Sequence, residues 1–158
     1  MTIKLDLKKL FFFLLSVTAT GIAGVLAAGD LEGLYGTLRK PPYSPPPWVF
    51  GVAWAILYLL MAVAAYRISR QSTGEDEKRF VYTLFGVQLF LNVLWMFVFF
   101  RMQAYYPAVL VLAVLLVISA WMALRFYQID QSAAYLLVPY LLWLLYAAYL
   151  TVSIAALN

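Results

Sequence analysis

The chain has 158 residues and a net charge of +4; 66% of the residues are apolar, 11% are charged, and the mean hydropathy is +0.89. A soluble domain is typically about a quarter charged, and here the deficit runs along the whole length, which excludes a soluble domain on one anchor and predicts an all-α integral membrane protein. Cysteine and histidine are both absent, so disulfides, thiolate metal sites, a Cys nucleophile, a His general base and the usual haem axial ligand are excluded.

In chain order, a crossing needs about 20 apolar residues, and five stretches qualify: about 10–28, 48–66, 80–100, 105–124 and 133–157. They form one five-helix membrane domain over 1–158, with no internal repeat. The first stretch, "KKLFFFLLSVTATGIAGVLAAG", also has the look of a secretory signal. Its apolar run is long for one, and its small residues have another use. Thr20, Gly24 and Ala28 recur at i+4, as do Ala19, Ala23 and Ala27, the spacing that lets helices approach closely in lipid. The segment is read as a span.

The first connection, Gly29–Pro47, is the only long one and carries five prolines between Pro41 and Pro47. Such a run is expected to be extended and low in entropy. The second span sets Phe50, Trp54 and Met61 along a stripe with Tyr58 close by, a pattern more often packing than site. "QSTGEDEKR" is then expected to be a plain solvated loop.

On the third span Gln88, Asn92, Trp95 and Phe99 share one helix face. Two amides facing lipid would cost several kcal/mol each, so this face points inward. Two readings stand level: hydrogen-bonding glue between helices, or a cavity wall with two polar anchors. A tight turn around Arg101–Gln103 leads to the fourth span, where Ala108, Leu112, Leu116 and Ala120 offer a dimer face alternative to the Gly/Ala ladder of the first. On the fifth span Pro139, Trp143 and Ala147 share a face, and Pro139 is expected to bend the helix beside a recess.

No Asp, Glu, Lys or Arg lies inside any of the five stretches. Ion-coupled transport and acid–base hydrolysis need such groups in the membrane, so neither is expected, nor is a nucleic-acid partner or a metal site. Lys4, Lys8, Lys9, Arg67, Arg70, Lys78, Arg79 and Arg125 fall on one side, against Arg39, Lys40 and Arg101 on the other. That bias puts the N-terminus in the cytoplasm and the C-terminus and proline loop outside.

"LYGTLRKPPYSPPPWVFGVAWAILY", "QLFLNVLWMFVFF" and "VPYLLWLLYAAYL" together resemble the translocator protein family, also called the tryptophan-rich sensory protein or peripheral benzodiazepine receptor family, in a bacterial-type form. The likeness covers nearly the whole chain. It implies a homodimeric five-helix bundle whose proline-rich loop between helices 1 and 2 is a lid. It further implies a receptor or carrier for porphyrins, haem and aromatic drugs of the isoquinoline-carboxamide or benzodiazepine type, linked to tetrapyrrole handling and stress, with no obligatory cofactor. By the same resemblance Tyr35, Pro45 and Phe50 stand at the top of the pocket with Trp54 below, and Asn92, Trp95, Trp143 and Ala147 match pocket positions; Gln88 joins them from its helix face.

Two departures follow. Tyr149 is followed by "LTVSIAALN" with no basic residue, which leaves sterol binding there doubtful. Haem would rest on ring stacking, on Arg39 or Lys40 at the propionates, or on Tyr or Met. Two other function classes stay open: a light-dependent porphyrin-degrading enzyme with Trp54 and Trp143 as electron donors, and a structural membrane partner without a ligand.

Overall fold

The structure is a computed structural model and describes residues 6–158; Lys4, counted for orientation, lies outside them. The elements follow the breakers. α1 (Leu7–Ala28) starts at Asp6, whose side chain accepts from the Lys9 N–H, and stops at Gly29, where φ is 79°. That backbone favours glycine. α2 (Leu31–Thr37) is capped by Asp30, which accepts from the Gly33 N–H at 2.9 Å.

α3 (Pro47–Ser69) opens on Pro47, where a missing N–H costs nothing and the fixed φ already suits a helix. α4 (Glu75–Met96) has Glu75, Asp76 and Glu77 in its first turn, against the positive end of the helix dipole. It ends in a π-turn, Phe97–Arg101. α5 (Tyr105–Ile129), α6 (Gln131–Tyr135) and α7 (Val138–Leu157) complete the chain, with Asp130 the sole residue between α5 and α6.

Five helical segments are long and apolar enough to cross a membrane: Leu7–Ala28, Pro47–Ser69, Glu75–Arg101, Tyr105–Ile129 and Gln131–Leu157. This is a five-helix membrane bundle. α1 packs between α3 and α4, α5 between α4 and α7, and α7 closes the ring on α3 by a thin contact. Buried residues from all five spans form one core, from Phe13 and Val17 through Met61, Phe85 and Leu112 to Leu144 and Ile154.

Five local expectations are corrected. The Gly29–Pro47 connection contains a helix, α2. The proline run is not extended throughout, because it turns at Tyr43, where φ is 63°, and the Ser44 hydroxyl donates to the Pro41 carbonyl at 2.7 Å. "EDEKR" is not loop: α4 begins at Glu75, and Glu77 pairs with Arg125 of α5. Ala108 and Leu112 are fully buried inside the protomer, so they form no dimer face. Gly24 and Ala28 are buried in the same way, while Ala19 and Ala23 face outward. At Pro139 the expected bend is a break, since α6 ends at Tyr135 and α7 restarts at Val138 with the proline in its first turn.

Ion pairs staple the end of the bundle opposite the prolines. Arg67 Nε donates to Asp130 at 3.1 Å and Gln71 Nε2 donates to it at 2.9 Å, tying α3 and the residues just after it to the α5–α6 corner. Asp130 also caps α6 through the Ala133 N–H at 3.2 Å. Burial pushes the Asp130 carboxyl up, but the Arg67 hydrogen bond and charge, with Ala133 and Gln71, outweigh it and hold the carboxyl below its ordinary range. The staple therefore contributes above the ordinary carboxylate range and is lost as pH falls through the lowered value. Asp130→Ala should cost about 1–2 kcal/mol, the worth of a cap and a partly exposed ion pair. Thermal unfolding in detergent checks this: the deficit against wild type should be full at neutral pH and shrink on acidification.

Candidate functional site

The core holds a knot of polar side chains that lipid cannot satisfy. Gln88 and Asn92 on α4 are 0% and 2% exposed, and Tyr140 on α7 is 0% exposed. The Tyr140 hydroxyl donates to Gln88 Oε1 at 2.8 Å, and Ser119 of α5 donates to the Tyr140 oxygen at 3.3 Å. Asn92 Nδ2 lies 3.0 Å from Gln88 Oε1 and 2.9 Å from both the Gln88 carbonyl and the Tyr140 oxygen. Three helices are joined at one point. The hydrogen-bonding reading of the third-span amides thus holds for Gln88, while Asn92 serves both readings.

Asn92 does so because a chamber of about 670 Å³ begins on its other side. Its walls come from α1, α3 and α4, with α2 above and Phe100 of the π-turn closing the row. Tyr35, Phe50, Trp54, Asn92 and Trp95 are all on this wall, joined by Trp48, Tyr58 and Met96. Two buried polar atoms on it have no hydrogen-bond partner within the protein: Asn92 Oδ1, an acceptor, and Trp95 Nε1, a donor. They sit within one helical turn of each other on α4, where unpaired buried polar groups are costly. Gln88 Nε2, off the wall, is a further unpaired atom.

The remaining predicted site residues lie outside the wall. Gln88 belongs to the knot. Pro45 takes part through its carbonyl, which accepts from the Tyr35 hydroxyl at 2.9 Å. Trp143 meets Phe50 edge-on at 5.9 Å and Tyr146 at 5.5 Å, so it stands behind Phe50. Ala147 is buried in the core on α7. Trp54 links the two regions, 5.3 Å from Tyr58 and 6.3 Å from Tyr140 between ring centres. The sequence reading missed the α1 side of the wall, where Gly21 lets Tyr58 approach: a Cβ there would stand 3.2 Å from the ring. The recurrent small residues of the first span were its signal.

The proline segment is fastened to α7. Tyr146 donates to the Tyr43 carbonyl at 2.7 Å and Tyr149 to the Pro42 carbonyl at 3.0 Å. Asn158 binds both backbone groups of Arg39, donating to its carbonyl at 2.9 Å and accepting from its N–H at 3.0 Å. Lys40 Nζ donates to the Tyr35 carbonyl at 2.7 Å and lies 4.7 Å over the Tyr35 ring. Burial pushes the Tyr35 hydroxyl above its ordinary range, with Ser44 acting against it, so it remains a neutral donor at physiological pH.

Comparisons with known proteins agree with this architecture. The family model for the TspO/MBR family matches residues 12–157. The chain is 35% identical to the tryptophan-rich protein TspO of Chlorobaculum tepidum, over 89% of each chain. It is also 35% identical to the tryptophan-rich protein TspO of Archaeoglobus fulgidus, over 98% of this chain and 99% of that one. Identity to the human translocator protein is 37%, over 72% of this chain and 69% of that one.

Two substitutions separate knot from lid. Tyr140→Phe leaves Gln88 Oε1 without its hydroxyl donor and should cost about 1–3 kcal/mol in thermal unfolding. Asn158→Ala should leave the unfolding midpoint nearly unchanged but speed amide exchange over 39–45 about fivefold, the worth of one net hydrogen bond. Equal exchange in both proteins would show that Asn158 does not hold the lid.

Proposed function

We propose that this chain, which belongs to the TspO/MBR family, is a membrane receptor or carrier that takes porphyrins, haem and related flat hydrophobic ligands into the chamber under α2. The observation that carries the reading is a chamber walled by aromatic and aliphatic side chains in which two wall residues, Asn92 and Trp95, each keep a buried polar atom without a partner in the protein, Oδ1 and Nε1. A chamber of about 670 Å³ is of the size that holds small ligands, and apolar walls with few convergent polar groups suit a flat one. Rings at Tyr35, Phe50, Trp54, Tyr58 and Trp95 supply stacking area. A ligand edge offering one donor and one acceptor satisfies both atoms once the two buried side chains turn toward it.

Haem fits the volume and the rings, and of the Tyr and Met ligands open to iron the wall carries Tyr35, Tyr58 and Met96, beside the Glu32 carboxylate. Aromatic drugs with an amide carbonyl meet the same pair of anchors. Following the basic-residue bias, the lid end faces outward and the N-terminus the cytoplasm. Protonation cycling does not enter the reading, since Asn92 and Trp95 do not titrate.

Protoporphyrin IX titrated into the detergent-purified protein in the dark tests the proposal. Saturable quenching of tryptophan fluorescence is expected. Asn92→Leu and Trp95→Phe should each weaken it about 5–10-fold, on the order of 1 kcal/mol per lost hydrogen bond. Trp143→Phe, behind Phe50, should weaken it less. Linear quenching identical in all four proteins means partition into detergent and sinks the reading. Under light, a new absorbing product that requires Trp54 would instead support porphyrin degradation.

A further inference from the structure

The wall of the chamber carries one charged side chain, Glu32, at its lid end in the first turn of α2. Most other acids among the described residues are occupied: Asp6 with Lys9 and Arg70, Glu75 with Lys78, Glu77 with Arg125, Asp130 with Arg67. Asp30 is spent on the α2 cap. Glu32 makes no ion pair among these residues. The basic groups near the lid do not line the chamber. Lys40 is bound to the Tyr35 carbonyl, and the backbone of Arg39 is held by Asn158. Arg101 lies against Gly29, its Nη1 3.1 Å from where a Cβ on that glycine would stand.

The same wall presents the rings of Trp48, Phe50 and Trp54, together with Tyr35, whose ring already lies under the Lys40 ammonium. Glu32 is exposed, so its carboxylate attracts a cation as a surface charge does, and the faces of the Trp rings attract one too. A carboxylate on the ligand meets the Glu32 charge on the wall, while Lys40, off the wall, is bound to the Tyr35 carbonyl. We propose that the chamber selects flat aromatic bodies bearing a protonated amine, the ammonium pairing with Glu32 at the lid end and the rings holding the body. The proposal rests on the ligand-chamber reading above and adds a charge preference to it. A tetrapyrrole in the same chamber turns its propionates away from Glu32, not toward an Arg39 or Lys40 on the wall.

Three probes with one body and three charges test this: 9-(aminomethyl)anthracene, 9-methylanthracene and 9-anthracenecarboxylate at neutral pH. Affinities from saturable tryptophan quenching are normalised to the neutral probe, which removes differences in body fit between variants. In wild type the cation should bind at least about fivefold tighter than the anion, the worth of a partly exposed ion pair. Glu32→Gln should erase that preference and Glu32→Lys should reverse it. A preference unchanged by Glu32→Gln, while Trp95→Phe still weakens all three probes, overturns the charge inference and leaves the chamber standing. Absence of saturable binding by any probe, with protoporphyrin quenching also linear, overturns both.

Discussion

The structure depends on a constraint that lipid imposes: a side-chain amide inside a membrane must find its partners within the protein. Gln88 and Asn92 meet it in part, through Gln88 Oε1 and Asn92 Nδ2, by gathering around the Tyr140 hydroxyl with Ser119 as the fourth member, which leaves Gln88 Nε2 and Asn92 Oδ1 unpaired. Because these bonds run from α4 to α7 and from α5 to α7, they fix the rotation of α4 about its own axis. Once that rotation is fixed, Asn92 and Trp95, on the same face as Gln88, border the chamber between α4, α1 and α3. The stability of the bundle and the polarity of the chamber thus come from the same turn of helix.

The chamber is walled unevenly. Its α1 side is built from small and aliphatic residues, with Gly21 against Tyr58. Its α3 side is aromatic, and its roof is α2. The proline segment that follows the roof is held from the other direction, by Tyr146, Tyr149 and Asn158 of α7 and its end. α7 therefore acts on the chamber through the lid and through Phe50, which stands between Trp143 and the wall. At the far end, Asp130 and Glu77 tie α3, α4, α5 and α6 together by ion pairs. Hydrogen bonds to backbone carbonyls hold the lid end, and charge holds the opposite one.

The proline stretch has several roles in this arrangement. Pro47 begins α3, Pro45 receives the Tyr35 hydroxyl, and Pro42 and Tyr43 offer carbonyls to α7. Prolines lack N–H groups but keep their carbonyls, so a proline-rich strap is a row of acceptors without donors of its own. Tyrosine hydroxyls on α7 are suited to meet it. The turn at Tyr43 lets successive carbonyls reach different partners, which a fully extended run would not.

The sequence by itself determined the five crossings, the inward face of α4 and the lack of charged side chains inside the spans, because hydrophobic length, helical period and charge placement are local properties of the chain. It also placed a specialised segment between the first two spans and carried the family resemblance. Only the tertiary structure decided that α1, not α7, completes the chamber wall, and that Trp143 stands behind Phe50. It alone brought Tyr140 and Ser119 to the amides and put Glu32 at the mouth. The reason is physical. In lipid a helix is apolar on every side, so periodicity does not say which face meets which neighbour. That choice is made by packing of small against large residues and by the few polar atoms that must find each other across the bundle.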